Sequence, residues 1–335
     1  MHLARIRFNG FMRERGEALF NCQKPTISVL IPAYNASAFL HRAVRSALTQ
    51  SYAPLEVLIV DDASTDETLA VANELANQDP RVHILTLPTN SGPGSARNLG
   101  LAAARGDWVA LLDADDAYIP SRLETLVSAQ AGRGVDVVLD NFFFFDVEKE
   151  TKSAALSINS AIVSVDLRQF VEQARPYSDE TDWGLLKPMF RREFLERRGL
   201  RYPEFSRHGE DFLFMFEVLR SGARCVLTRN PGYLYTTRDS GMSRTIVDYG
   251  KMIEHTVDLT NDPCVRKDVI LLRLLSQRIA DLKRWSRRQP AELRFREARA
   301  RKKYIKLAIL TITDVTFASR ALKLVLRSLR RSRVR

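Results

Sequence analysis

Short apolar runs recur along the first half of the chain, each followed by residues whose apolar positions return every three or four places. "ISVLIP" (27–32) is closed by proline, and residues 37–50 then carry the spacing of an amphipathic helix. "EVLIVDD" (56–62) repeats the pattern ahead of "STDETLAVANELA", where Ser64 or Thr65 can cap a helix with acids in its first turn. "RVHILTL" (81–87) and "DWVALLD" (107–113) supply two further strands around the helix-like "SARNLGLAAARG". Continuous apolar strands alternating with helices predict an α/β fold, a mostly parallel sheet covered by helices on both faces.

The second half is looser. "VDVVLDNFFFFDV" (135–147) reads as strand, "RREFLERRG" and "GEDFLFMFEVLRSG" as helices, and "RCVLT" and "GYLYTT" as closing strands. Beyond about residue 243 the periodicity is helical only. Three regions follow: a basic N-terminal extension over 1–25, an α/β domain over 26–240, and a helical C-terminal region over 241–335.

Charge changes this picture in one respect. The chain of 335 residues has 27% charged and 45% hydrophobic residues, which excludes disordered and collagen-like classes, but its net charge is +11. An anionic partner is therefore expected. The three cysteines, Cys22, Cys225 and Cys264, form no CxxC pair, which disfavours a zinc site or a disulfide framework and fits a reducing compartment. The N-terminus lacks the apolar core of a secretory signal, and no run is long enough for a spanning helix. A cytoplasmic protein is expected.

The candidate chemistry is acidic. In an open α/β sheet, ligands collect outside the carboxyl ends of the parallel strands. The first strand ends at Pro32-Ala33-Tyr34-Asn35, the second at Asp61-Asp62, and the fourth at Asp113-Ala114-Asp115-Asp116, so all three open on one edge. Clustered aspartates repel unless a cation neutralises them. Mg²⁺ or Mn²⁺ prefers one or two carboxylates plus substrate phosphates, so the cluster Asp113, Asp115 and Asp116 is a candidate to hold a metal that carries a diphosphate. The alternative is a solvated acidic loop, with Asp116 capping the helix that starts near Pro120. A dinucleotide site is disfavoured because no GxGxxG follows the first strand.

In their order, "SVLIPAYNASAFLHRAVRSALTQSY", "EVLIVDDASTDET" and "NSGPGSARNLGLAAARGDWVALLDADD" resemble glycosyltransferase family 2, the inverting enzymes of the GT-A fold. Ala63 stands where that family usually has glycine. The overall pattern is similar to bacterial exopolysaccharide glucosyltransferases of the succinoglycan type. The resemblance implies that Pro32, Tyr34 and Asn35 line a nucleoside pocket and that Asp61 or Asp62 recognises the base edge. A carboxylate there can accept the imide N–H of uracil, which cytosine lacks; a helix cap is the competing role for Asp62. Arg97 is implied near the nucleotide, with a surface ion pair as the alternative. Asp113 is implied at ribose or metal and Asp115 as the principal metal ligand.

An inverting transfer is a single displacement, so the acceptor hydroxyl needs a base. By resemblance this is a carboxylate opening a later helix. "RHGEDFLFMF" (207–216) offers Asp211 as base, supported by Glu210, with His208 a weaker candidate; both acids could instead merely favour a helix N-terminus. In "DWGLLKPMFRREFL" Trp183 is a candidate to stack on an acceptor sugar, Gly184 to permit close approach and Lys187 to meet a phosphate, with Trp183 as plain core the competing reading. "YTTRDSGMSR" (235–244) occupies the position of a basic loop over the diphosphate, through Arg238, Ser240 and Ser243. Gln277 and Arg284-Trp285 imitate the QxxRW motif of processive relatives at the wrong spacing.

From Val315 onward there is no acid, and Arg320, Lys323, Arg327, Arg330 and Arg331 oppose a stripe of Leu322, Val325, Leu326 and Leu329. Such a helix fits the headgroup plane of an anionic membrane. The expected protein is a metal-dependent transferase moving one sugar from a nucleotide sugar, UDP-linked by the resemblance, to a lipid-linked saccharide at the inner face of the plasma membrane. The competing class is a non-catalytic membrane- or nucleic-acid-binding protein on a degenerate transferase fold. Nucleic acid is disfavoured because recognisable reading motifs are missing. A nucleotidylyltransferase would need a glycine-rich, lysine-bearing first loop that the chain lacks.

Overall fold

The computed structural model describes residues 24–176, 181–204, 208–237 and 248–300, the last eleven as backbone. Four parallel strands and their crossover helices come first: β1 (Ile27–Ala33), α1 (Ser37–Leu48), β2 (Glu56–Asp61), α2 (Thr68–Gln78), β3 (Val82–Thr86), α3 (Pro93–Ala103) and β4 (Trp108–Leu111). There follow β5 (Ala117–Tyr118), α4 (Arg122–Gln130), β6 (Val137–Asp146), β7 (Thr151–Ala154), β8 (Ile162–Val165) and α5 (Leu167–Gln173). The chain continues through β9 (Met189–Arg191), α6 (Arg192–Arg197), α7 (Glu210–Arg220) and β10 (Cys225–Thr237). Three helices close the described chain: α8 (Tyr249–Asn261), α9 (Pro263–Arg266) and α10 (Val269–Ala300).

The strands form one sheet in the order β3-β2-β1-β4-β9-β6-β10-β5, with β7 beside β6 and β8 beside β10. β1 and β2 are apolar on both faces because helices cover both sides, as their unbroken apolar runs require. Close packing of α3 on β1 depends on Gly100, where a Cβ would stand 2.0 Å from Leu30 Cδ1. The core continues into the helical region, since Val265, Leu271 and Leu275 join the same buried cluster as β1 and β4. Arg175 pairs with Asp281 at 2.7 Å, fastening α10 to the residues after α5.

Three expectations change. The cap of α2 is neither Ser64 nor Thr65, and its first turn holds no acid; Asp66 Oδ1 instead accepts the Thr68 amide at 3.0 Å. "RREFL" does not continue a helix from its start, because Met189–Arg191 pairs antiparallel with β4 and β6 and the helix begins at Arg192. The two closing strands are one, β10, interrupted by register shifts between Thr228 and Tyr233 that absorb Pro231. Cys225 and Cys264 are free, and Cys22 lies outside the described residues. So do most of the N-terminal extension, Arg238, Ser240 and Ser243, and the basic tail. No helix among the described residues is long and apolar enough to cross a membrane.

Candidate active site

The carboxyl ends of β1, β2 and β4 do open together. Past β1, Tyr34 is 45% exposed, and Asn35 adopts the left-handed conformation at φ +48°. The side chain of Asn35 explains that backbone: its Oδ1 accepts the Thr65 amide at 2.8 Å, while its own amide donates to Ser64 Oγ at 3.0 Å. Ala63 on the facing loop is also left-handed, at φ +53°, a conformation in which glycine is unstrained.

The two aspartates ending β2 differ. Asp62 is spent on structure: its Oδ1 accepts the Ser91 amide at 2.7 Å and its Oδ2 the Gly92 amide at 2.8 Å, holding the loop that leads into α3. It does not cap residues 64–67. Asp61 is buried; its Oδ2 accepts the Ser64 amide at 3.2 Å, and its Oδ1 has no hydrogen-bond partner. A buried carboxylate oxygen left without a donor is costly, and a ligand N–H would satisfy it.

β4 delivers the acidic cluster. Asp116 does not cap α4; it is buried and faces β10, accepting from Tyr233 Oη at 2.6 Å and from the Thr236 amide at 2.7 Å. Burial, with Asp113 and Asp115 alongside, pushes its pKa up to about 8. Tyr233 Oη also accepts the Asp113 amide at 3.1 Å, so one tyrosine sets the backbone of the whole turn. Asp115 is half-buried, and Arg42 donates to its carbonyl and to Thr236 Oγ1.

Opposite stands the N-terminus of α7. Gly209 precedes it at φ +82°, a left-handed position that turns Glu210 and Asp211 back toward β4. Two buried cations lie between the acids. Arg97 on α3 donates from Nη1 to Glu210 Oε1 at 2.8 Å and from Nη2 to Asp113 Oδ1 at 3.2 Å, with Nη1 also 3.2 Å from Asp211 Oδ1. Lys187 Nζ lies 2.8 Å from Asp113 Oδ2 and 3.0 Å from Asp211 Oδ2. Burial opposes both positive charges, yet the surrounding carboxylates raise the pKa of each well above its ordinary value. Burial would likewise raise Asp113, but Lys187 and Arg97 hold it below the usual carboxylate range. Glu210 goes the other way, pushed up by burial and by Asp211.

Arg97, Asp113, Glu210, Asp211 and Lys187 therefore form one network, in which Lys187 bridges two carboxylates. Trp183 is only 9% exposed and packs in the core. With Gly184, Tyr202 and Met215 it lines a small cavity that reaches Asp211. His208 lines a different cleft, with Phe212, His255 and Arg278. Sequence reasoning did not find Tyr233, Arg42 or Arg122 as supports of the site. Tyr233 carried no signal beyond its place in an apolar strand.

The profile described as "Glycosyl transferase family 2" matches residues 28–221. Succinoglycan biosynthesis protein ExoO of Rhizobium meliloti (strain 1021) is 35% identical over 223 residues, 66% of this chain and 64% of that protein. Succinoglycan biosynthesis protein ExoU of the same strain is 35% identical over 227 residues, 66% of this chain and 65% of its own. The chain thus spans just under two thirds of the length of these curated relatives. Among solved structures, S. aureus TarS 1-349 in complex with UDP-GlcNAc superposes with a TM-score of 0.60 at 25% identity, covering 75% of this chain and 71% of that one. The same protein in complex with UDP gives 0.58 at 24% identity, covering 76% and 72%.

Proposed function

The chain belongs to glycosyltransferase family 2 and has the GT-A fold, and from that footing we propose that it transfers one sugar from a UDP-sugar to a lipid-linked saccharide during exopolysaccharide assembly. The observation that carries the reading is Asp113 held beside Asp211 by Lys187 and Arg97, with Asp115 two residues along the same turn. Donor carboxylates and a base belong on opposite sides of a reacting carbon in a single displacement with inversion. The printed names of the succinoglycan relatives and of the UDP complexes of TarS support the substrate classes.

The nucleoside lies against Pro32, Tyr34 and Asn35 in this reading. The base imide N–H meets Asp61 Oδ1, the buried oxygen without a partner, rather than Asp62, whose oxygens hold the loop before α3. Asp115 and Asp113 fit a hard divalent cation, Mn²⁺ or Mg²⁺, held jointly with the diphosphate. When bound, such an ion supplies positive charge to the departing diphosphate. Asp211 accepts the proton of the acceptor hydroxyl as that oxygen bonds to the anomeric carbon and the bond to the diphosphate breaks. Glu210 fixes Arg97, and Arg97 and Lys187 orient the Asp211 carboxylate for that transfer.

The metal reading is checked by titrating UDP into Asp115→Ala with and without Mn²⁺. The variant is expected to bind UDP at least about tenfold more weakly than the wild-type protein when Mn²⁺ is present, and to lose the Mn²⁺ dependence. Mn²⁺ strengthening UDP binding equally in both proteins excludes Asp115 as a ligand.

The membrane partner rests on the charge of residues 315–335, and the protein is placed by this reading at the cytoplasmic face of the plasma membrane as a peripheral protein. Each basic residue near an anionic surface contributes about 1 kcal/mol. Deleting 315–335 is therefore expected to release the protein from phosphatidylglycerol-containing vesicles in a flotation assay while UDP binding persists. Equal flotation of full-length and truncated protein rejects the tail as the anchor.

A further inference from the structure

Two aromatic rings stand at the outer end of the sheet beside the acidic cluster, and no step described above uses them. Tyr235 on β10 pairs in register with Phe144 on β6, and their rings meet edge to face with centroids 5.8 Å apart at 78°. Phe142 lies one step inward, 5.0 Å from Phe144 and 5.9 Å from Tyr235. Side chains two apart on a strand share a face, so Tyr233 and Tyr235 point the same way, as do Phe142 and Phe144. Tyr233 is the residue bonded to Asp116 and to the Asp113 amide, so this face of β10 is the one turned to the site. The inner pair, Tyr233 and Phe142, is buried; the outer pair is half-buried. An aromatic ladder thus runs from beneath the carboxylates outward to solvent.

The Tyr235 hydroxyl belongs electrically to the site. Burial pushes its pKa up, Lys187 opposes, and Asp116, Asp113 and Asp115 reinforce the rise. Lys187 in turn holds Asp211. The outer rings thus continue the face of β10 on which Tyr233 bonds Asp116 and the Asp113 amide.

Resting on the transferase reading, we propose that Tyr235 and Phe144 form the subsite that stacks the terminal pyranose of the acceptor and presents its hydroxyl to Asp211. The chemistry selects a sugar over a lipid chain. A pyranose offers an apolar C–H face to the rings and hydroxyls to the surrounding charges, whereas an acyl chain would strip water from the part-exposed Asp113 and Asp115 without replacing it.

The test is saturation-transfer NMR on the full chain with UDP and Mn²⁺, using methyl β-D-glucopyranoside and methyl β-D-galactopyranoside as probes. Irradiating aromatic protein protons is expected to saturate ring C–H protons of at least one glycoside. Phe144→Leu and Tyr235→Leu are each expected to cut that transfer about threefold or more, while Tyr235→Phe, which keeps the ring, retains it. Absence of transfer to both glycosides by the wild-type protein overturns the subsite, and this arm needs no variant to fold. Wild-type transfer in both leucine variants overturns it equally. UDP binding in the same samples separates the two readings: bound UDP with an untouched glycoside removes the subsite alone, and no UDP binding removes the transferase reading beneath it.

Discussion

Replacing Asp211 with asparagine is expected to lower sugar transfer by about two to four orders of magnitude, the usual worth of a positioned general base, while UDP binding survives. The substitution keeps the shape of the side chain and removes only its capacity to take a proton. The surroundings tolerate it. Arg97 retains Glu210 and Asp113, and Lys187 retains Asp113 at 2.8 Å. The structure also sharpens the alternative, in which Asp211 serves only the N-terminus of α7. Loss of such a role costs about 1 kcal/mol of stability and leaves turnover nearly intact. Melting temperature, UDP affinity and turnover measured on one preparation separate the two. A stable protein that binds UDP and does not transfer supports the base. Near-normal turnover removes Asp211 from the chemistry and leaves Glu210 to be tried, although Glu210 is already committed to Arg97 at 2.8 Å.

The parallel half of the sheet was legible because β1, β2 and β4 are buried on both faces and the helices between the strands are amphipathic, so period and punctuation agree. The ends of β1, β2 and β4 followed from that topology, and with them the acidic edge. What escaped the sequence was the direction of individual polar side chains. Asp61 and Asp62 are chemically identical neighbours, and only the fold shows that one oxygen pair is consumed by Ser91 and Gly92 while Asp61 Oδ1 stays unpaired. Asp116 looked like a helix cap because a helix follows it; a tyrosine more than a hundred residues later outcompetes that role. The short strand β9 was hidden by the good helix formers that follow it in "RREFLER". Lys187 sits in a loop whose sequence carries no period at all, yet it proves to be the bridge between the two halves of the site.

The same blindness applied to Arg122 and Asp140, and there the expected effect is on folding. Arg122 reads as a solvated helix residue in "SRLETL", and Asp140 interrupts an apolar strand, but their side chains are 0% and 1% exposed. They meet through two parallel hydrogen bonds, Nε to Oδ2 at 2.9 Å and Nη2 to Oδ1 at 2.8 Å. The guanidinium lies against Tyr118 and Tyr233, at 4.3 Å and 5.0 Å from the ring centroids. Gly232 makes room, since a Cβ there would fall 2.5 Å from Asp140 Oδ2. Burial pushes the Asp140 pKa up against the pull of Arg122, so the pair is held together by geometry and by its further bonds more than by charge alone. Those bonds reach the site: Arg122 Nη1 donates to the Leu111 carbonyl at 3.3 Å, and Nη2 to the Lys187 carbonyl at 2.5 Å. Asp140→Ala strands a buried cation and is expected to cost about 3–5 kcal/mol in urea unfolding, a large share of the stability of a typical domain. A loss below about 1 kcal/mol would show that water or a rearranged partner compensates Arg122. The double variant Arg122→Met, Asp140→Leu removes both charges and is expected to recover much of that loss, because well-packed apolar residues replace buried pairs at little cost. Transfer activity is not expected to recover with it. The methionine cannot hold the carbonyls of Leu111 and Lys187, and these fix the two strands of chain from which Asp113 and the Lys187 ammonium reach each other. Full activity in a stable double variant would confine the pair to folding and detach it from the site.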